Sequence, residues 1–225
     1  MKISVITPAV EVPSETRRAL EEAPKVLELA GRTCYKSEDR ITDTSAEKFV
    51  KMICKNHHES VLEHVNLTAK FILSRSASHQ LVRHRLASYS QESQRYCNYG
   101  KRGLQVICPP TIGVPTGTYD INKFGFATSL ALDTSQRSWL QTRALEYEEY
   151  LDLIDEGIPP EDSRYSLPNA TKTEIVVTMN ARSWRHVFKE RAFNRHAQWE
   201  IRYLMLLFYE TCNELCPCVF GGLDV

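Results

Sequence analysis

Apolar and polar residues alternate along residues 65–73, where Val65, Leu67, Ala69, Phe71 and Leu73 share one parity. A period of two puts them on one face of a β-strand. Elsewhere the apolar spacing is three to four, which marks amphipathic helices. Ser14 opens a helix running to about Leu29, with Leu20, Val26, Leu27 and Ala30 inward and Gly31 as its stop. Thr44 and Glu47 make a capping-box pattern before AEKFVKMICKNHH, which turns Phe49, Met52 and Ile53 inward. Ser76 or Ser78 caps a helix reaching about Ala87, and Tyr89 to Tyr96 reads as loop or strand. The strongest helix pattern spans Thr134 to Glu156, with Leu140, Ala144, Tyr147, Leu151 and Ile154 on one side and Gly157 after it. A short helix opens at Ile158-Pro159-Pro160-Glu161-Asp162. Helices also cover Asn180 to Glu190 and His196 to Leu215. KISVIT (2–7) and Glu174 to Met179 read as strands. Residues 98–123, rich in glycine and proline, read as a long irregular excursion, and the last ten residues as a tail. Strands beside helices at uneven spacing argue against a regular βαβ array. The expected fold is mixed α and β (α+β) in a single domain over 1–225, with a central, mostly antiparallel sheet and flanking helices.

Composition narrows the class. Of 225 residues, 42% are hydrophobic and 25% charged, ordinary for a chain that buries a core. Lys+Arg and Asp+Glu are both 28. A general nucleic-acid binder carries a basic excess, so a cation-rich site here is local and no nucleic-acid polymer is expected as a partner. The first residues are too mixed for a signal peptide, and no apolar run can span a bilayer. Seven cysteines without paired spacing point to free thiols in a reducing cytoplasm, with no membrane partner.

Candidate chemistry concentrates in Ser78 to Tyr96, SHQLVRHRLASYSQESQRY. It holds Arg83, Arg85, Arg95, His79, His84 and a run of hydroxyls and amides. Guanidinium forks recognise phosphate and carboxylate, and hydroxyls and amides add directional bonds. On a helix through 78–87, Gln80, Arg83 and His84 share a face. Ser93 and Arg95, two apart, face one way in extended chain and suit a phosphate. The bland alternative is a solvated polar helix and turn. It is weaker here because the stretch holds no Lys and a single Glu. A second concentration runs from Asn180 through Arg182, His186 and Arg191 to Glu200, with Arg182 and His186 at i,i+4. Arg164 stands alone near a helix end, where a surface charge or local cap is the plain reading. There is no Gly-rich phosphate loop and no GxSxG elbow. HHESVLEH lacks HExxH spacing, Cys212, Cys216 and Cys218 lack an obvious fourth ligand, and Cys97 lacks an activator. No metal is expected.

Arg83-His84-Arg85, seven residues, then Ser93 reproduces the RHRx7S signature of flavin-dependent thymidylate synthases. His58-Glu59-Ser60 with Glu63-His64, Ser93-x-Arg95-Tyr96, Leu167-Pro168, Asn180-Ala181-Arg182-Ser183, Arg191 and Ala197-Gln198-Trp199-Glu200-Ile201 follow in family order. The chain therefore resembles that family over nearly its whole length. The resemblance implies an α/β domain assembled as a homotetramer with shared active sites. It implies conversion of dUMP to dTMP, with methylenetetrahydrofolate as carbon donor and FAD reduced by NADPH. By the same resemblance, Gln80, Arg83, Gln91, Ser93, Arg95, Arg164 and Arg191 contact dUMP. Ser60, Arg83, His84, Arg85, Gln91, Asn180, Arg182 and His186 contact FAD. His58 lies near the flavin and folate, and Arg191 polarises the uracil ring. Ser90-Gln91 departs from the Asn-Glu of many members. An amide binds but cannot serve as a carboxylate base. Two other readings stay open: a non-enzymatic nucleotide or RNA-binding module, and a degenerate member that binds nucleotide without turnover.

Overall fold

The structure is a computed structural model that describes residues 1–122, 125–126 and 131–223. In chain order the elements are β1 (Lys2–Val5), β2 (Ala9–Glu11), α1 (Ser14–Thr33), α2 (Ala46–Lys55), β3 (Asn66–Ser74), α3 (Arg75–Leu81) and β4 (Ala87–Gln91). There follow α4 (Tyr99–Arg102), β5 (Leu104–Val106), β6 (Gly117–Asn122), β7 (Gly125–Phe126), α5 (Thr134–Asp155) and α6 (Pro160–Ser163). The chain closes with β8 (Lys172–Asn180), α7 (Ala181–Val187), α8 (Trp199–Leu215) and α9 (Pro217–Phe220). Contacts divide these residues into two compact units: 1–9, 72–79 and 91–175, then 10–71, 80–90 and 176–225. The mixed α+β class holds. The strands form two four-stranded sheets, where the sequence suggests one central sheet.

In the first unit the sheet order is β5-β1-β6-β7. β1 pairs in parallel with β5 (Ile3 opposite Leu104) and antiparallel with β6 (Ile3 opposite Tyr119). This corrects the expectation for residues 98–123. The glycines and prolines there punctuate two short strands, too short for periodicity to reveal. α5 supplies the covering helix. Asp133 and Gln136 close a reciprocal capping box at its start. Leu140, Ala144, Tyr147 and Tyr150 join Ile3, Val5, Leu104 and Val106 in the core.

The second unit carries most of the other sheet, ordered β2-β3-β8-β4. The Ala181 N–H donates to Val65 O at 2.8 Å, and the Thr68 and Thr178 hydroxyls meet at 2.8 Å, which makes β3 and β8 antiparallel. Trp184 of α7 is fully buried and its Nε1–H donates to Leu67 O at 3.0 Å. Phe71, Phe188 and Phe208 surround it at centroid distances of 6.1, 5.9 and 4.8 Å. Such aromatic pairs add about 0.5–1.5 kcal/mol beyond area burial.

Several local expectations change. α1 runs through Gly31 to Thr33, because Gly31 serves close packing and does not stop the helix. A Cβ there would lie 2.7 Å from the Phe49 ring. Val26 and Met52 are exposed, and Val50 takes the inward place beside Ile53. The Thr44–Glu47 capping box does not form. Ser45 precedes α2 instead, and its hydroxyl donates to the buried Glu28 carboxylate at 2.8 Å, which Arg32 also grips at 2.7 Å. α8 starts at Trp199, capped by Gln198, so His196 lies outside it. The supposed C-terminal tail packs: Cys216, Cys218, Val219 and Phe220 are buried. All seven cysteines are free thiols.

The α5 pattern gives a direct stability test. Leu140 is fully buried and Leu145, on the same helix, is 60% exposed. Leu140→Ala is expected to cost about 2–5 kcal/mol in urea unfolding, against about 0.5 kcal/mol or less for Leu145→Ala. Equal losses would contradict the assigned helix face.

Candidate active site

α3 ends at Leu81, so Arg83, His84 and Arg85 lie in the turn that follows and not on a helix. The helical face expected for Gln80, Arg83 and His84 is therefore corrected to a tight turn. The N–H groups of Arg83 and His84 reach back only three residues, to Gln80 and Leu81. Tyr89 of β4 explains why the helix stops. Its hydroxyl lies 3.0 Å from Leu81 O and also bonds His84 O, taking carbonyls that further helical turns would use. Burial pushes that phenol up to about 12, so it remains a donor. Leu86 completes the turn at φ 64. A left-handed leucine costs about 1–2 kcal/mol, which marks a backbone held for position.

His84 is the best-defined side chain of the turn. Arg191 Nε–H donates to its Nε2 at 2.9 Å, and the His186 ring lies 6.2 Å away. An imidazole nitrogen that accepts from a guanidinium carries no proton, so the ring proton belongs on Nδ1. Burial, then the Arg191 charge, then His186 lower the His84 pKa to about 4. Arg191 comes from a π-helical segment, Phe188–Phe193, that continues α7. The sequence reading ends a plain helix at Glu190, and the π turn instead carries the chain on to Phe193. π turns widen the helix and re-aim side chains, often at functional sites.

His84 and His186 border a cavity of about 700 Å³ in the second unit, and Arg191 touches His84 without being one of its walls. The cavity brings together Arg83, His84, Arg85, Asn180, Arg182 and His186 from the expected flavin set. Asn180 caps α7, its Oδ1 accepting from Ser183 N–H at 2.8 Å. Two carboxylates missed in the sequence, Glu59 and Glu63, also line it. Arg182 pairs with Glu63 at 2.6 Å and more loosely with Glu59 at 3.8 Å. Arg185 and Lys189 were missed as well, and with Arg83, Arg85 and Arg182 they make five cationic walls against two acids. Arg83 and Arg85 form no ion pair among the described residues. The volume falls within the usual ligand-pocket range of about 300–1,000 Å³. No local spacing marks Glu59 and Glu63: in the 3₁₀ turn residues four apart do not share a side, and what ties both acids to the site is Arg182, remote in sequence.

Other expected residues lie elsewhere. His58 and Ser60 are exposed around the 3₁₀ turn Glu59–His64 and are not walls of the cavity. Gln80 sits at the end of α3 in the second unit. Gln91, Ser93, Arg95 and Arg164 belong to the first unit. There the Gln91 amide donates to Ser78 Oγ at 3.0 Å and Thr173 Oγ1 at 3.3 Å. Ser93 Oγ accepts from Arg95 N–H at 3.3 Å. Glu161 gathers two of the arginines. Its carboxylate holds Arg95 at 2.8 Å and its carbonyl accepts from Arg164 Nε–H at 2.9 Å. Among the described residues no cluster of three or more His, Cys, Asp or Glu could hold a metal ion, and no helix is long and apolar enough to cross a membrane.

Fold and cavity together define a mixed α+β protein with an electropositive, nucleotide-sized site. Residues 17–218 match the family described as "Thymidylate synthase complementing protein". The flavin-dependent thymidylate synthase of Geobacter sulfurreducens is 36% identical over 201 residues, spanning 85% of this chain and 78% of the relative. That of Clostridium tetani is 38% identical over 221 residues, spanning 90% and 84%. Among solved structures, the UMP/dUMP methylase PolB from Streptomyces cacaoi, bound with 5-Br dUMP, aligns with a TM-score of 0.72 at 25% identity, covering 98% of this chain and 95% of that one. Thymidylate synthase X from Helicobacter pylori, with FAD and dUMP, shares the fold with a TM-score of 0.69 at 20% identity, covering 89% and 94%. The chain belongs to the flavin-dependent thymidylate synthases and is an enzyme of that family.

The His84 environment predicts its titration. Its folded pKa lies below the ordinary value, so the unfolded chain binds the proton first as pH falls. The contribution is fully present above pH ~6.5 and is lost as pH falls to about 4. NMR of the imidazole should show a midpoint near 4, and Arg191→Gln should raise it. A midpoint of about 6.5 in the unaltered protein would show that neither burial nor the Arg191 charge acts on the ring.

Proposed function

We propose that this chain reductively methylates dUMP to dTMP, with methylenetetrahydrofolate as carbon donor and NADPH as reductant of a bound FAD. The observation that carries the reading is the Arg191–His84 hydrogen bond beside a cavity in which Arg83 and Arg85 have no carboxylate partner among the described residues. Family membership supplies the reaction, and the geometry fits the residues to it.

The cavity suits an anionic flavin dinucleotide. Its cations outnumber its acids, and no Gly-rich loop is needed where guanidinium forks are available. Arg83, Arg85 and Arg182 would neutralise the pyrophosphate, Asn180 and His186 would add polar contacts, and Ser60, His84 and Gln91 would complete the set. The Arg182–Glu63 pair is about half exposed on each side. Such pairs are worth about 0–1 kcal/mol, so an incoming phosphate can displace the carboxylate at little cost. Bound there, FAD supplies the hydride chemistry. No enzyme thiolate need attack the pyrimidine, which leaves the cysteines without a catalytic role.

For dUMP, Ser93 and Arg95 would take the phosphate with Arg164 beside them, while Gln80, Arg83 and Gln91 hold the nucleoside. Arg191 would polarise the uracil. A guanidinium at the ring edge stabilises negative charge developing there. Its Nε is committed to His84, so its terminal nitrogens remain for the ring. His58 would stand near the flavin and folate. The whole chain would act as one synthase domain in the cytoplasm, in a homotetramer whose active sites draw on several subunits.

Purified protein that shows no flavin absorption and gains none with added FAD would refute this reading. Arg191→Ala is expected to abolish tritium release from C5-labelled dUMP while flavin stays bound. Near-normal turnover would remove the role given to Arg191. Unaltered protein that binds dUMP and flavin without tritium release would be a binder only. Arg95→Ala is expected to weaken dUMP about tenfold or more while deoxyuridine binding hardly changes. Equal losses would speak against a phosphate contact.

A further inference from the structure

The second unit holds another cavity, about 440 Å³, that the proposed chemistry does not use. Its walls include Lys51 and Lys55 of α2, His57, Arg185 of α7, and Lys189. Among the described residues no carboxylate lines it. Lys51 and Lys55 stand one helical turn apart on the same face. Arg185 is only 7% exposed. Its Nη1–H donates to Val219 O and its Nη2 lies 3.5 Å from Glu59, but its Nε–H meets no acceptor among the described residues. A buried donor without an acceptor is unfavourable, and a cavity that sets Lys51, Lys55 and Lys189 around the arginine carrying it is arranged for an anion. Arg185 and Lys189 also line the larger cavity, so the two spaces share these walls.

We propose that this second cavity is a phosphate-binding site that seats the phosphate-bearing end of the dinucleotide reductant, close to the flavin cavity. The phosphate site stands on the cations alone. Its assignment to the reductant rests on the synthase reading above. NADPH carries a phosphate monoester that NADH lacks, and Lys51 and Lys55, exposed on α2, are free to close on it. Charge-assisted bonds to a dianion are about twice as strong as neutral ones, so the site discriminates between the two reductants.

The test titrates the full-length protein with NADPH, NADH and inorganic pyrophosphate by calorimetry, unaltered and as Lys51→Gln/Lys55→Gln. Thermal melting and flavin absorbance are recorded on each sample. NADPH is expected to bind about tenfold or more tighter than NADH, to compete with pyrophosphate, and to lose that advantage in the double variant. FAD and dUMP affinities should not change. Pyrophosphate binding that the variant weakens, without any preference for NADPH, keeps the phosphate site and overturns its assignment to the reductant. Absence of anion binding at millimolar concentration, or binding that the double variant leaves intact, overturns the site itself. If the double variant melts early, each single Lys→Gln variant is read in the same way. Should the protein bind no flavin, the synthase reading fails, while the pyrophosphate titration still decides the cavity.

Discussion

A neutral imidazole accepting from a guanidinium holds the site together. His84 must present a lone pair at Nε2 for Arg191 to be fixed at 2.9 Å. Protonation would remove that acceptor and place two like charges in contact. Burial enforces neutrality first, and the neighbouring Arg191 charge reinforces it, so each partner keeps the other in its working state. The contact also needs both backbones. Tyr89 stops α3 and pins the His84 carbonyl, and the π turn swings Arg191 round from the end of α7. α7 is in turn anchored by Trp184, buried among Phe71, Phe188 and Phe208. Core packing and site electrostatics are thus one problem in this unit.

Charge balance follows from that arrangement. A chain of zero net charge can still focus cations, provided it keeps acids away from them or pairs them weakly. Both devices are present. Among the described residues Arg83 and Arg85 line the cavity with no acid paired to them, and Glu28, buried and engaged by Arg32 and Ser45, is not one of its walls. Glu63 does face the cavity, but in a pair exposed enough to be cheap to open.

The sequence made the larger elements legible because they repeat a period over many residues. α5 and β3 are such cases, and Leu140 and Phe71 are buried where the pattern puts them. It failed where one contact decides the backbone. Nothing local to residues 82–87 says that a tyrosine on the following strand will end the helix at Leu81. Gly31 reads as a stop until Phe49 is seen against it. β5 and β6 were hidden because short strands among glycine and proline have no measurable alternation. The cations of the RHR turn were legible as chemistry from their density alone. Arg185 was not, since one arginine in a helix looks like any solvated charge until its burial is known. Glu59 and Glu63 were read as connector because their role depends on Arg182, which is remote in sequence.

The arginines of the first unit obey a different rule from those of the turn. Among the described residues Arg83 and Arg85 have no acid to release, whereas Arg95 already holds Glu161 at 2.8 Å, and Arg164 holds the carbonyl of the same residue. Arg95 and Glu161 are both about half exposed, so their bond contributes little to stability. Its value lies in placement. A long, flexible side chain loses much rotamer freedom when it binds a ligand. Glu161 removes part of that freedom beforehand and keeps the Arg95 fork next to Arg164. A phosphate carries more charge than the carboxylate it would displace and offers more acceptor oxygens. On the proposed reading the exchange favours a dianion and gives nothing to a neutral nucleoside. Selectivity for a nucleotide over its nucleoside can thus be built into a pair that adds almost nothing to the fold.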